Sequence, residues 1–353
     1  MYIKRRHIGA ATAAIFVLVL VAAGCGGSGN SSTNGVAGAQ TTNSSTIVGA
    51  GSTLVAPLLT QWQGAYSADK GVTITYGAIG SGGGIEQITA RTVDFGASDA
   101  PLTADQAKAC HGCVMVPWAL AATTISYNVP GLSKPLRLTG PVVADMFLGT
   151  IKTWNDPQIA KLNPGVSLPS TAVSPVYRSD ASGDTFAFTD YLSSVSPTWK
   201  SKVGSSTSVS WPTGTGGKGN AGVAAAIQES PGSVGYVAIG QAVGSKLDYA
   251  DIQNQGGAFV KPSTKSIAAA ADTAHFRPDN SVSIVNPPAS AKTAYPVSTF
   301  TYAIVPRSSG KLAALKQFLT YAVHGGQSYA TQFEFAPLPQ NVVTKDRSII
   351  KGL

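Results

Sequence analysis

Three short segments place glycine, serine and threonine where a strand-like run gives way to a helical pattern. They are residues 49–54 (GAGSTL), 80–84 (GSGGG) and 178–186 (RSDASGDTF). A helix start carries free backbone N–H groups and the positive end of the helix dipole, so each segment could bind an anion. The hydroxyls would either cap the helix or contact a ligand. One segment alone favours simple capping, whereas three in one chain, one with Arg178, predict an anion site.

Arg178 is the cation of this predicted site, because its guanidinium can donate two parallel, charge-assisted hydrogen bonds to an oxyanion. Asp180 follows two residues later, where its carboxylate could hold the guanidinium in place and temper its charge. The alternative for Asp180 is a solvated turn residue.

The elements around these segments alternate between β-branched or aromatic runs and helical patterns, which predicts an α/β fold. Strands are expected over 72–76 and 93–97, helices over 84–92 and 311–323, and long apolar runs over 114–127 and 300–305.

The chain contains few segments that resemble the motifs of enzymes. Residues 214–220 (GTGGKGN) look like a phosphate loop, but Lys218 is followed by Gly219 rather than Ser or Thr, so a close-packed turn is the better interpretation. No Gly-x-Ser-x-Gly elbow occurs, and His275 and His324 have no neighbouring motif that would make either a catalytic base. We therefore expect no enzyme.

The N-terminus has the pattern of an export signal. Lys4, Arg5 and Arg6 precede an uncharged stretch over 8–24. Residues 21–25 (VAAGC) resemble a bacterial lipobox, which predicts a signal peptide over 1–24 and a lipid on Cys25. Residues 25–46 are rich in Gly, Ser, Asn and Thr and predict a flexible tether. The alternatives are an uncleaved N-terminal anchor and ordinary signal-peptidase cleavage.

The charge and the hydrophobic content of the chain limit which partners are expected. Lys and Arg number 25 and Asp and Glu 17, a net charge of +8 that falls to +5 once the three cations of the signal are removed. No basic stripe remains, so nucleic acid is not an expected partner. Hydrophobic residues make up 43% of the chain, enough for folded cores and about two domains.

The remaining cysteines are Cys110 and Cys113, in residues 110–113 (CHGC). In an oxidising compartment a local disulfide is the favoured interpretation. A zinc site would need two ligands besides the two cysteines, and His111 alone does not supply them. A c-type haem site would need His directly after the second cysteine, where the chain has Val114. We expect no metal and no cofactor.

The three loops and further segments resemble the phosphate-binding protein of the bacterial high-affinity phosphate ABC transporter, the Pst system. The resemblance extends from about residue 46 to the C-terminus. The segments that carry it are 49–54, 79–84 (IGSGGG), 93–102 (VDFGASDAPL), 149–154 (GTIKTW), 163–165 (NPG), 178–183 (RSDASG), 216–220 (GGKGN) and 232–236 (GSVGY). It implies an α/β, two-lobed periplasmic-binding-protein fold of type II, with the runs 114–127 and 300–305 as crossover hinge strands. Lobe 1 would comprise 46–123 plus 300–353, and lobe 2 would comprise 124–299.

The resemblance also implies which residues contact phosphate. They are Ser52, Thr53, Leu54, Ser81, Asp99, Arg178, Ser182, Gly183 and Asp184. The family often has Thr at the last position, so a hydroxyl contact is missing there. We expect the backbone N–H of Asp184 to serve, with its carboxylate directed away or held by another cation.

Asp99 would give such a site its selectivity. A carboxylate can accept a hydrogen bond from a proton on phosphate, whereas fully ionised sulfate carries no proton and would be repelled. The alternative is that Asp99 caps the turn over 98–101.

The expected protein is thus an exported, lipid-anchored, monomeric solute-binding protein on the outer face of the cell membrane. Its partners would be inorganic phosphate, the permease subunits of a phosphate ABC transporter, and the membrane through Cys25. The alternatives are a binding protein for another protonated tetrahedral oxyanion such as phosphonate or arsenate, a secreted phosphatase, and a surface adhesin.

Overall fold

Strands and helices alternate along the chain, which confirms the α/β prediction. The computed structural model describes residues 46–132 and 134–353, so the predictions for the signal, Cys25 and residues 25–45 of the tether lie outside the described residues. The strands are β1 (Ile47–Gly51), β2 (Ile74–Ala78), β3 (Phe95–Ser98), β4 (Cys113–Tyr127), β5 (Arg137–Leu138), β6 (Ser174–Arg178), β7 (Thr215–Gly217), β8 (Ser233–Ala238), β9 (Asp248–Tyr249), β10 (Asp251–Gln253), β11 (Phe259–Val260) and β12 (Ser298–Pro306). The helices are α1 (Ala56–Lys70), α2 (Ser81–Thr89), α3 (Ala104–Ala109), α4 (Gly140–Phe147), α5 (Pro157–Leu162), α6 (Gly183–Val195), α7 (Pro197–Lys202), α8 (Gly219–Glu229), α9 (Ile239–Gly244), α10 (Thr264–Ala271), α11 (Leu312–Ala322) and α12 (Gln340–Lys351), with a 3-10 helix at Gly325–Phe333.

The main sheet has the strand order β2-β1-β3-β12-β4-β8-β6-β7, and β9 pairs with β4. Strands β1, β2 and β3 are parallel to one another, as are β6, β7 and β8. Strand β12 is antiparallel to both β3 and β4. A second, small sheet has the order β11-β10-β5.

Strand β4 divides this sheet into two halves. Its residues 113–122 pair with β12, and its residues 123–127 pair with β8. We call β2, β1, β3, β12 and residues 113–122 the first sheet half, and residues 123–127, β8, β6 and β7 the second sheet half. The apolar runs predicted over 114–127 and 300–305 are therefore strands, and the longer one passes from one half to the other.

Helix α2 begins at Ser81, three residues before the predicted start at 84. Its three glycines have poor helix propensity, so the sequence pattern does not predict a helix over this first turn. Gly84 is needed there for a packing reason, because a Cβ at this position would lie 2.5 Å from the Cα of Gly51 and 2.6 Å from the carbonyl oxygen of Ala50. Close packing on β1 thus sets the start of α2 beside the end of that strand.

Each sheet half buries its own group of aromatic rings. In the first half Trp62 and Phe95 pack edge-on against Trp118, with ring centroids 5.5 and 5.7 Å apart. In the second half Phe188 stacks on Tyr236 at 4.5 Å. Such rings bury large apolar areas, so the aromatic packing in each half, within one continuous core, holds that half's loops in place. Among the described helices, none combines the length and the apolar character needed to cross a bilayer.

Candidate functional site

The carboxyl ends of the parallel strands of both halves face each other, and the helices that follow begin there. Helices α1 and α2 follow β1 and β2 in the first half, and α6 and α8 follow β6 and β7 in the second. Hydrogen bonds between backbone and loop groups join the two sides: Gly82 N donates to the carbonyl oxygen of Ala181 at 3.1 Å, and Gly183 N donates to Ser81 Oγ at 3.0 Å, among others. The loops that the sequence singled out are thus brought together.

Simple capping does not account for the hydroxyls at α1 and α2. In both helices no backbone N–H donates to an N-cap side chain, since their N-cap residues are Val55 and Gly80. Helix α6 is different, because Ser182 Oγ accepts a hydrogen bond from Thr185 N at 3.4 Å. The capping alternative therefore applies to one of the three predicted loops.

Asp99 lies directly after β3 with 1% of its surface exposed. Ser52 Oγ is 2.6 Å from its Oδ1 and 2.7 Å from its Oδ2, and Ser81 Oγ is 3.3 Å from Oδ2. Ser52 Oγ also accepts a hydrogen bond from Leu54 N at 3.0 Å, so the β1–α1 loop is folded around this carboxylate. The carboxylate thus faces the predicted ligand loops. The turn over 98–101 is held instead by Ser98, whose Oγ accepts from Ala100 N at 3.1 Å.

The environment of Asp99 makes its carboxyl a weaker acid than an ordinary aspartic acid. Burial, followed by the negative charge of Asp184, raises the pKa of Asp99 to about 7, although the Ser52 hydroxyl and Arg178 act to lower it. The group therefore changes charge near neutral pH, where it can accept or donate a hydrogen bond.

Arg178 ends β6 with a buried guanidinium. Asp180 holds it with two bonds, from Nε to Oδ1 at 2.8 Å and from Nη2 to Oδ2 at 2.5 Å. Burial alone would raise the pKa of Asp180, but the Arg178 charge and the N–H of Gly219 at 2.9 Å lower it below its usual value. Asp180 is thus an ionised partner of Arg178 rather than a solvated turn residue.

The carboxylate of Asp184 occupies a different place from the one expected. It is completely buried and receives Arg178 Nη1 on Oδ2 at 3.2 Å, so it is held by the site's own cation rather than by another one. Thr123 Oγ1 donates to Oδ1 at 2.8 Å. Asp184 is the second residue of α6, and this position places its carboxylate next to the guanidinium of Arg178. Arg178 therefore bonds to two carboxylates of the protein itself, those of Asp180 and Asp184.

Asn220 is a member of the site that the sequence reasoning missed. Its Nδ2 donates to Asp184 Oδ2 at 2.7 Å and to Thr53 Oγ1 at 2.9 Å. The sequence pattern predicts a close-packed turn over 214–220, because the segment does not match a phosphate loop. It is instead strand β7, a glycine turn and the start of α8, the same pattern as the three predicted loops, and that pattern could have identified it.

A cavity of about 430 Å³ adjoins these groups and is lined by both sheet halves. Its lining includes Thr53, Ile79, Asp180, Lys218, Asn220 and Gln241. The cavity therefore lies between the two halves, beside the residues around Asp180 and Asn220.

Cys110 and Cys113 form a disulfide with their Cα atoms 5.5 Å apart, at the start of β4. Arg91 donates to the carbonyl oxygen of Cys110 at 2.7 Å and fixes the turn that carries the bridge. The bridge belongs to the first sheet half and is not among the residues around Asp99 and Arg178.

Taken together, the strand ends offer neutral hydroxyl and backbone donors, one guanidinium compensated by two carboxylates, and a third carboxyl that titrates near pH 7. Neutral donors can bind an oxyanion without a large positive charge. A carboxyl in the same place favours an anion that shares a proton with it. These groups could together accommodate a small oxyanion that carries a proton.

Comparison with known proteins places the chain in a family. Residues 36–325 match the model of the PBP superfamily domain. The chain is 42% identical over 309 residues to the phosphate-binding protein PstS of Xylella fastidiosa strain Temecula1, covering 86% of this chain and 85% of that protein. It is 41% identical over 311 residues to PstS of Pasteurella multocida, with coverages of 87% and 90%.

A solved structure from Clostridium perfringens has a similar fold. It is described as a putative phosphate ABC transporter substrate-binding protein with bound phosphate, and it aligns with a TM-score of 0.63 over 83% of this chain and all of its own. Sequence identity is 16%, so this likeness concerns the fold alone. The chain has the two-lobed α/β architecture of the periplasmic binding proteins, and it belongs to the PstS family of phosphate-binding proteins within the PBP superfamily.

Proposed function

We propose that this chain captures inorganic phosphate between its two lobes and delivers it to the permease of a phosphate ABC transporter. The observation that carries the proposal is the buried carboxyl of Asp99 among the donors of converging helix starts. A carboxyl is unfavourable in a site for a fully ionised anion and favourable in a site for one that carries a proton.

The proposed phosphate contacts combine backbone and side-chain groups at the strand ends. Backbone N–H groups of Leu54, Gly183 and Asp184 supply oriented donors, and the guanidinium of Arg178 supplies the charge-assisted pair. The remaining contacts are Ser52, Thr53, Ser81, Asp99 and Ser182, with Asp180 behind Arg178. Several of these donors bond to each other in the structure, so phosphate would exchange those bonds for its own oxygens.

The lobes are proposed to comprise 46–123 plus 300–353 and 124–299. The pairing of β4 supports this division, because the strand exchanges β12 for β8 between Ala122 and Thr123. Bending at this strand would open and close the lobes, and the closed form would be the one recognised by the permease. Phosphate undergoes no reaction in this scheme.

Isothermal titration calorimetry on residues 26–353 at pH 8 tests the proposal. We expect tight binding of phosphate and no measurable binding of sulfate. Equal affinity for the two anions would contradict the role given to Asp99, and absence of phosphate binding would contradict the function. Arsenate carries protons as phosphate does, so titration with arsenate measures the remaining selectivity. A phosphomonoesterase assay on the same protein is expected to show no turnover.

We further propose that the mature chain is a lipoprotein, anchored through Cys25 to the outer face of the cell membrane. The support is the lipobox-like segment over 21–25 after a charged and then apolar N-terminus. A Cys25→Ala variant should lose lipid labelling and pass from the membrane fraction to the medium. Retention on membranes would instead indicate an uncleaved anchor.

A further inference from the structure

Asn220 makes three hydrogen bonds with a side chain that is 2% exposed. Its Oδ1 accepts from Ala238 N at 2.7 Å, and its Nδ2 donates to Thr53 Oγ1 and to Asp184 Oδ2. An asparagine amide has two N–H bonds and one carbonyl oxygen, so every N–H has a partner.

The orientation of this amide follows from its partners. A backbone N–H such as that of Ala238 requires an acceptor, which places the oxygen of Asn220 against β8. The NH2 group must then face the opposite way, toward two oxygens. A carboxylate such as that of Asp184 has only acceptor oxygens, which agrees with the NH2 group of Asn220 facing it.

The two acceptors stand on opposite sides of the site. Thr53 belongs to the loop after β1 in the first sheet half, whereas Asp184 and Ala238 follow β6 and end β8 in the second. The bond from Asn220 to Thr53 therefore exists only while the two sides are together. Asn220 also contacts Asp184, whose other oxygen receives Thr123 at the point where β4 passes between the halves.

We propose that Asn220 is the latch of the closed form, a positioning residue that slows the opening of the two lobes. The inference rests on the proposed function, because the opening it slows is the step that releases phosphate. Its amide ties the β1–α1 loop to Asp184 and Arg178, and thus to the groups that would surround the ligand. Loss of the latch should raise the release rate of phosphate while leaving its association rate nearly unchanged.

A double-mutant cycle on the release rate tests this latch. The variants are Asn220→Ala, Thr53→Val and the two combined, with phosphate release followed by stopped-flow mixing with excess arsenate or a phosphate trap. Each single variant should release phosphate about two- to tenfold faster, as expected for one net hydrogen bond. The double variant should release phosphate more slowly than the product of the two single effects predicts, because both changes remove the same bond.

Two results would overturn the latch. One is a release rate for Asn220→Ala equal to that of the parent. The other is a double variant whose effect is the product of the two single effects, since Thr53 would then act through the ligand and independently of Asn220. If Asn220→Ala does not fold, as judged by thermal melting, Asn220→Ser takes its place, because a hydroxyl can still accept from Ala238 N–H.

Asn254 offers a matched control. It is 6% exposed, donates to the carbonyl oxygens of Lys292 and Ala294, and accepts from Ala258 N, all away from Thr53 and Asp184. Asn254→Ala should lower the melting temperature and leave the release rate unchanged. A parent protein that does not bind phosphate would refute the proposed function, whereas normal binding with unchanged release in the variants would refute only the latch.

Discussion

Ser52 and Asp99 are 47 residues apart in the chain, yet the hydroxyl of the first lies 2.6 and 2.7 Å from the two carboxyl oxygens of the second. One hydroxyl proton can serve one oxygen at a time, so the carboxyl retains a free site for a further hydrogen bond. Because Asp99 changes charge near neutral pH, that site can accept from or donate to a ligand.

Sulfate exclusion should depend on pH for this reason. The pKa of Asp99 is raised to about 7 by burial and by the charge of Asp184, so the carboxyl is protonated below that pH. A protonated Asp99 can donate to a sulfate oxygen, whereas an ionised one repels it. Calorimetry should therefore detect sulfate binding at pH 5.5 and none at pH 8.

Asp99→Asn provides the comparison for this prediction. Its amide is neutral and keeps donors at every pH, so sulfate should bind with little change between pH 5.5 and pH 8. If the parent excludes sulfate equally at both pH values, the titration of Asp99 does not govern selectivity.

Gly183→Ala should prevent the two sides from meeting. A Cβ at Gly183 would lie 2.4 Å from the Cβ of Asp99 and 2.7 Å from its Cα, and these atoms cannot move aside without moving β3. We expect phosphate affinity to fall at least about tenfold, since overpacking typically costs about 1–3 kcal/mol. Gly64→Ala in α1 is the control, because a Cβ there meets nothing within 4 Å. Equal affinity in both variants would contradict the close packing.

Asp184→Asn should strengthen phosphate binding. The substitution keeps one oxygen that can accept from Arg178 and Asn220, and its NH2 group can donate to the Thr123 hydroxyl, but it removes a buried negative charge that repels the ligand. We expect affinity at pH 8 to rise about three- to thirtyfold, consistent with a charge interaction of about 1–2 kcal/mol. The pKa of Asp99 should also fall, which would move the onset of sulfate binding to lower pH.

A carboxylate paired outside the site serves as its control. Asp94 bonds to Lys311 at 2.8 Å, and Asp94→Asn should leave phosphate affinity unchanged. Weaker binding by Asp184→Asn would mean that Asp184 acts mainly by holding Arg178 in position.

Asp346 should make the fold less stable as pH rises. It is fully buried in α12, and among the described residues neither carboxyl oxygen has a hydrogen-bond partner. Burial raises its pKa to about 9, so the folded state binds this proton more tightly than the unfolded chain does. The stability that the proton provides is fully present below about pH 4 and is lost at about 1.4 kcal/mol per pH unit up to about pH 9.

Thermal melting of Asp346→Asn between pH 5 and pH 9 tests this assignment. The neutral variant should lose less stability with rising pH than the parent and should be the more stable protein at pH 8. Asp105→Asn, which changes an exposed acid in α3, should follow the parent. Parallel curves for the parent and Asp346→Asn would show that the carboxyl ionises without cost.

Local sequence patterns were enough to predict the α/β class, the long apolar runs over 114–127 and 300–305, and the loops around Ser52, Ser81 and Arg178. These features are local, because a strand that ends in a glycine and hydroxyl turn before a helix leaves its N–H groups free wherever it stands. The resemblance to a family, rather than any pattern, brought Asp99 into the site. Three further features depend on how the chain packs in three dimensions: the bond of Asp184 to Arg178, the place of Asn220, and the burial of Asp346. Asn220 meets Thr53 across 167 residues, and the pKa of Asp99 depends on burial and on a charge 85 positions away, which no local pattern records.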